Sequence, residues 1–126
     1  MKVIVNKVDC VGTTVIVSFS SAFGDAKAFW NGELPVPSHE YRVEVDIDDL
    51  TRDVDVSISE ICQPSIKLDK ELICITGCID SVDEDGYTVI RLGDYIIPFM
   101  LIGDLFDVGT NVELRTKSIT LYPYNL

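Results

Sequence analysis

Residues 40–60 read EYRVEVDIDDLTRDVDVSISE. Tyr41, Val43, Val45 and Ile47 alternate with Glu40, Arg42, Glu44, Asp46 and Asp48. After a short polar break, Val54, Val56 and Ile58 alternate with Asp53, Asp55, Ser57 and Ser59. Period-two alternation puts successive side chains on opposite faces of a strand. The stretch therefore predicts two half-buried strands with apolar inner faces and acidic outer faces. Its eight acids and two bases give a net of −6, more than half of the −11 carried by all 126 residues. Like charges directly opposed across a strand pair destabilise a sheet. So dense an acidic face asks for an explanation: a solvated surface, a bound cation, or a basic partner.

The same reading extends outward in both directions. Val3 to Val8 is rich in β-branched residues, Asp9-Cys10-Val11-Gly12 supplies a turn, and Thr13 to Phe19 makes the second strand of a hairpin. Ser20 to His39 reads as one long irregular segment, punctuated by Gly24, Gly32, Pro35 and Pro37, with at most a short helical turn over Ala22–Trp30. A loop of that length in a compact chain is often a binding loop or a self-packed lid. It holds Phe23, Phe29 and the single tryptophan, Trp30. These aromatics either plug the end of the fold or present an interface anchor, for which Trp30 and Phe29 are the candidates.

Beyond the acidic strands, Ser65–Leu68 adds a short edge piece and Leu72–Val82 is a long strand. Asp83-Glu84-Asp85-Gly86 signals a hairpin because Asp-Gly tolerates the positive φ such turns need. Tyr87–Leu92 returns, Gly93-Asp94 turns again, and Tyr95–Ile102 is apolar on both faces, which predicts a covered strand. Pro98 within it cannot donate to a ladder and calls for a bulge or an open edge. In the last strand, Asn111–Tyr122, the apolar phase shifts between Leu114 and Ile119, which predicts a bulge near Lys117. Helical periodicity and internal repeats are not evident. The expected fold is all-β, one domain over residues 1–126: a small antiparallel β-barrel of the OB-like kind or a β-sandwich, with one long loop.

Function is bounded mostly by charge. Nucleic-acid backbones are held by clustered Lys and Arg, and here ten scattered bases face 21 acids, so no nucleic-acid partner is expected. Lys27, Arg91, Arg115 and Lys117 are candidates for a local basic patch, against which the overall charge of −11 weighs. No apolar run reaches the roughly 18–20 residues of a membrane span, and the N-terminal MKVIVNKVDCVGTTV lacks the pattern of a signal peptide. Neither a membrane partner nor secretion is expected, and the chain reads as cytoplasmic. The four cysteines then read as reduced, small buried hydrophobes. Cys74 and Cys78 are about 13 Å apart along a strand, too far for a bridge or a shared metal.

His39 is the only histidine, and no nucleophile–base, phosphate-loop or dinucleotide motif occurs. The acids lack the ordered spacing of a calcium loop. No catalytic residue, cofactor or metal is assigned, and the chain is read as non-enzymatic.

The short chain, the EVDIDDLTRDVDVSISE face and the uncatalytic remainder resemble the small acidic immunity proteins of bacterial toxin–immunity systems. That resemblance implies a basic protein partner, a cognate toxin domain that for many such systems is a nuclease. The acids that would meet it are Glu44, Asp46, Asp48, Asp53 and Asp55, with Trp30 or Phe29 as apolar anchor. A second class stays open: a structural or assembly component whose strand edges pair with partners or in a homo-oligomer, or an OB-like module that binds a ligand at the barrel mouth.

Overall fold

The computed structural model describes residues 1–47, 51–52 and 55–124. In chain order the strands are β1 (Lys2–Val11), β2 (Thr14–Ser21), β3 (Gly24–Trp30), β4 (Glu40–Ile47), β5 (Thr51–Arg52), β6 (Val56–Ile58), β7 (Ser65–Asp69), β8 (Leu72–Val82), β9 (Tyr87–Leu92), β10 (Tyr95–Ile102), β11 (Asn111–Thr116) and β12 (Ile119–Pro123). No α-helix occurs among the described residues. The fold is all-β, a closed five-stranded barrel joined to a second sheet.

The barrel closes in the order β1-β2-β3-β12-β4. β1, β2 and β3 form successive antiparallel pairs. β12 then runs parallel to β3 and antiparallel to β4, and β4 returns antiparallel to β1. Five strands are the complement of an OB-like barrel. The one parallel seam needs a long crossover between its strands, and residues 31–118 supply it.

The second sheet runs β5-β10-β9-β8-β11-β6, with β7 paired to β8. Its two end strands, β5 and β6, are separated in the chain by residues 53–55 alone. Four Cα steps from Arg52 to Val56 reach about 15 Å at most, so the sheet must curl until its edges approach each other. Its plan repeats that of the barrel. β8, β9 and β10 are successive antiparallel pairs, β5 runs parallel to β10, β6 is antiparallel to β11, and β11 is antiparallel to β8. The segment 51–58 thus does for the second sheet what β12 does for the barrel, and each closing piece comes from the other half of the chain.

That exchange corrects several sequence expectations. The acidic stretch is not a pair of facing strands: β4 belongs to the barrel, and β5 and β6 belong to the second sheet. Nor does Ile58 share an inner face, since it is 70% exposed while Val56 is buried; Val54 lies outside the described residues. The phase shift near Lys117 is a crossover, with β11 ending in one sheet and β12 beginning in the other. The absence of a repeat is also overturned at the level of topology. The halves share short echoes: Gly24-Asp25 and Gly93-Asp94 at the turn into the third strand, Gly32-Glu33-Leu34 and Gly103-Asp104-Leu105 after it, and Val43-Glu44-Val45 and Val112-Glu113-Leu114 in the fourth.

The long irregular segment proves shorter than expected. Ala26, Ala28 and Trp30 are buried while Asp25, Lys27 and Phe29 are exposed, which makes β3 a regular half-buried strand. The remainder, residues 31–39, is tied down: Ser38 N–H donates to the Val5 carbonyl at 2.7 Å, and Val5 N–H to the His39 carbonyl at 3.1 Å. β10 buries Ile97, Phe99 and Leu101 and leaves Ile96 and Ile102 exposed, so only one of its faces is fully covered. Pro98 sits opposite Val89 with no register shift. On β10's other side, pairing with β5 is confined to Leu101 and Ile102, so Pro98 faces an open edge.

Two seams bind barrel to sheet. At the first, Ile66 N–H donates to the Phe23 carbonyl at 2.9 Å, and Gly24, with φ 134°, leaves no room for a Cβ against the Ile66 carbonyl oxygen. At the second, Val45 N–H donates to the Tyr95 hydroxyl at 2.9 Å. The buried apolar residues of both sheets form one continuous cluster.

Candidate binding face

β4 is the strand the acidic pattern describes best. Val43, Val45 and Ile47 are buried, Tyr41 is half-buried, and Glu40, Arg42, Glu44 and Asp46 are exposed. Its pairing with β1 covers only Glu40 to Arg42. Met1 extends that pairing to Val43 through two backbone bonds; beyond it no strand pairs with this edge of β4 among the described residues, and Tyr95 from the second sheet covers it through the Val45 bond. Burial raises the Tyr95 phenol above its ordinary range, while the Val45 N–H bond acts more weakly the other way. The hydroxyl is therefore a neutral cap on a backbone donor at neutral pH.

On β4's other side, β12 places Tyr122 opposite Glu44 and Thr120 opposite Asp46. Tyr124 N–H donates to the Arg42 carbonyl at 3.0 Å, which carries the pairing one step further. Tyr122 and Tyr124 are 38% and 37% exposed. Together Glu44, Asp46, Tyr95, Ile96, Tyr122 and Tyr124 line a groove of about 480 Å³. Its chemistry suits a cationic side chain: carboxylates give charge-assisted hydrogen bonds and tyrosine rings offer a face to a guanidinium or ammonium.

No family model, no curated protein and no solved structure matches this chain. The face is thus read from its own residues. Glu44 and Asp46 stand on it as the alternation required. Asp55 does not join them, being half-buried between β5 and β6 in the second sheet. Asp48 and Asp53 lie outside the described residues.

The expectation of Trp30 as a surface anchor is corrected. It is 6% exposed, its Nε1–H donates to the Glu33 carbonyl at 2.8 Å, and its ring meets Tyr41 edge-to-face at 5.1 Å. The Tyr41 hydroxyl in turn accepts from Val36 N–H at 2.8 Å. The reason is phase: position 30 falls on the inward side of β3. Phe29, one residue earlier, points outward and is 38% exposed. It pairs with Thr120, which pairs with Asp46, so Phe29 lies two strands from the acids, about 10 Å at ordinary strand spacing.

Of the four bases considered as a patch, Arg91 is taken up by Asp80, and Arg115 reaches Glu113 at 3.4 Å and Ser57 at 3.2 Å. Lys27 and Lys117 do meet, around a separate pocket. All four cysteines are free thiols. Cys74 is buried as expected, with its thiol pushed up chiefly by burial, but Cys10 and Cys62 are exposed, a correction to their reading as core residues. Cys10 lies next to the turn that ends β1, and Cys62 lies in the connection between β6 and β7.

The residues missed by sequence reasoning are the tyrosines. Tyr122 and Tyr124 were visible as an alternating pair around Pro123, but their neighbour Tyr95 is 27 residues away and reaches β4 only through the crossover. Among the described residues no group of three or more His, Cys, Asp or Glu could hold a metal ion. Among the described residues no helix is long and apolar enough to cross a membrane.

Proposed function

We propose that this chain is a non-enzymatic binding protein, an immunity-type inhibitor that holds a basic toxin domain in the cytoplasm through the outer face of β4. The observation that supports this reading is the placement of Glu44 beside Tyr122, and of Asp46 in the same groove. Acids spread evenly over a surface serve solubility. Half-exposed tyrosines are of the kind enriched at binding hot spots, and the acids beside them add charge complementarity to a cationic partner. A net charge of −11 adds long-range steering of a cationic partner. In this mechanism the carboxylates complement cationic groups that the toxin uses on its own substrate, and the tyrosines retain the complex once formed.

The test is association kinetics with the toxin domain encoded beside this chain's gene, at low and at high salt. A Glu44→Ala, Asp46→Ala double variant should associate more slowly at low salt, with the difference shrinking as salt screens the field. Tyr122→Ala should mainly speed dissociation. Unchanged rates in both variants would overturn the proposal, and a homo-oligomer that buries this face in solution would redirect it towards self-assembly.

A further inference from the structure

A second pocket, of about 260 Å³, lies where the barrel meets the second sheet. Its apolar lining includes Phe29 from β3, Leu68 from β7 and Ile73 from β8. Three lysines reach it from three separate elements: Lys27 on β3, Lys70 in the turn between β7 and β8, and Lys117 at the crossover between β11 and β12. Glu71 is the only acid in the lining. Among the described residues no carboxylate forms an ion pair with any of the three lysines. On a chain with 21 acids and ten bases, three lysines converging on one apolar hollow, without an ion pair among the described residues, are the reverse of the surface average.

The backbone supplies an independent observation. Lys70 has φ 57°, one of only two non-glycine residues with positive φ among those described. It is the first residue of a two-residue turn whose flanking positions, Asp69 and Leu72, pair directly. That position favours glycine, and a β-carbon there is held in a conformation that costs roughly 1–2 kcal/mol. Strained side chains of this kind gather at ligand sites. The turn itself would be better served by glycine, and the lysine there places an ammonium at the pocket.

We propose that this pocket binds a small molecule with a flat apolar body and an anionic end, the body against Phe29 and Leu68 and the anion among Lys27, Lys70 and Lys117. The volume lies just below the usual range for ligand pockets, which fits one or two fused rings rather than a large cofactor. The site is separate from the acidic groove and does not depend on the role given to it.

The experiment is a titration of the full chain followed by NMR, with 2-naphthoate, its neutral isostere 2-naphthamide, and 2-naphthyl phosphate. Saturable binding of the anions is expected, with shifts centred on Phe29, Lys27 and Lys70, and the amide at least tenfold weaker. The ranking of carboxylate and phosphate then identifies the anion. Lys70→Gly should weaken anion binding at least fivefold while leaving the melting temperature unchanged or higher, which separates the ligand role from folding. Lys117→Ala should weaken the anions and spare the amide. Equal binding of anion and amide, anion affinity unmoved in both lysine variants, or no saturable shifts at the pocket would each overturn the proposal.

Discussion

Replacing Gly24 by alanine should damage this protein severely, and the structure says by how much. Two costs combine. The φ of 134° lies in a region that β-carbons rarely adopt, worth about 1–3 kcal/mol. The new Cβ would also fall on the Ile66 carbonyl oxygen, which is backbone and cannot swing aside. β7 must then withdraw, and the Ile66 N–H loses the Phe23 carbonyl it now meets at 2.9 Å. Ile66 is fully buried, so the orphaned donor adds about 1–3 kcal/mol. The sum is about 2–6 kcal/mol, a large share of the about 5–15 kcal/mol typical of a whole domain. Gly12→Ala is the internal control: φ is 63° but nothing lies within 4 Å of its Cβ, so it should cost only about 1–2 kcal/mol of backbone strain. Urea unfolding followed by circular dichroism measures both. A Gly24→Ala variant no less stable than Gly12→Ala would refute the close approach of β3 and β7, and with it this account of the seam.

Tyr95→Phe should cost about 1–3 kcal/mol by leaving the Val45 N–H without its acceptor; a neutral outcome in thermal unfolding would mean that water replaces the hydroxyl there. Both Tyr95 and Cys74 have proton affinities raised in the fold by burial. The unfolded chain then releases these protons first, so stability is intact below about pH 8. It should fall as pH rises through the unfolded and towards the folded values of each group, with a smaller fall in Tyr95→Phe; stability that rises over the same range would contradict this. Trp30→Ala should cost about 3–5 kcal/mol as a core truncation, against well under 1 kcal/mol for a surface anchor, as chemical denaturation of the purified variant will show.

What the sequence revealed depended on how local the signal was. β8, β9 and β10 were read with their observed bounds, because apolar runs, an Asp-Gly turn and a Gly-Asp turn all lie within thirty-one residues. β3 was hidden because its inward positions are Ala26 and Ala28, which carry too little apolar surface to mark a strand. The two crossovers were invisible for a different reason. A strand that leaves one sheet for another keeps its alternation and shows only a phase break, which is also what a bulge shows. Thus Asp46 and Asp55, nine residues apart in one acidic run, belong to different sheets. The exposed acids of β4 were legible from alternation alone. Their tyrosine neighbours and the lysine pocket were not, since each gathers residues from segments far apart, and the strain at Lys70 is written only in a dihedral angle.

The exchange of closing strands also sets the order in which this protein can be made. When the first 47 residues have emerged from a ribosome, β1 to β4 are present, but β3 and β4 stand with the gap between them that β12 must fill. That gap stays open until residue 123 is synthesised, at about 5–20 residues per second a delay of several seconds. During it the nascent chain carries two raw strand edges, the surfaces most prone to capture a stray strand. The barrel therefore closes only once β12 has emerged, and a holding chaperone, or a peptide that mimics ITLYP, would act on the unfinished barrel rather than on the finished one.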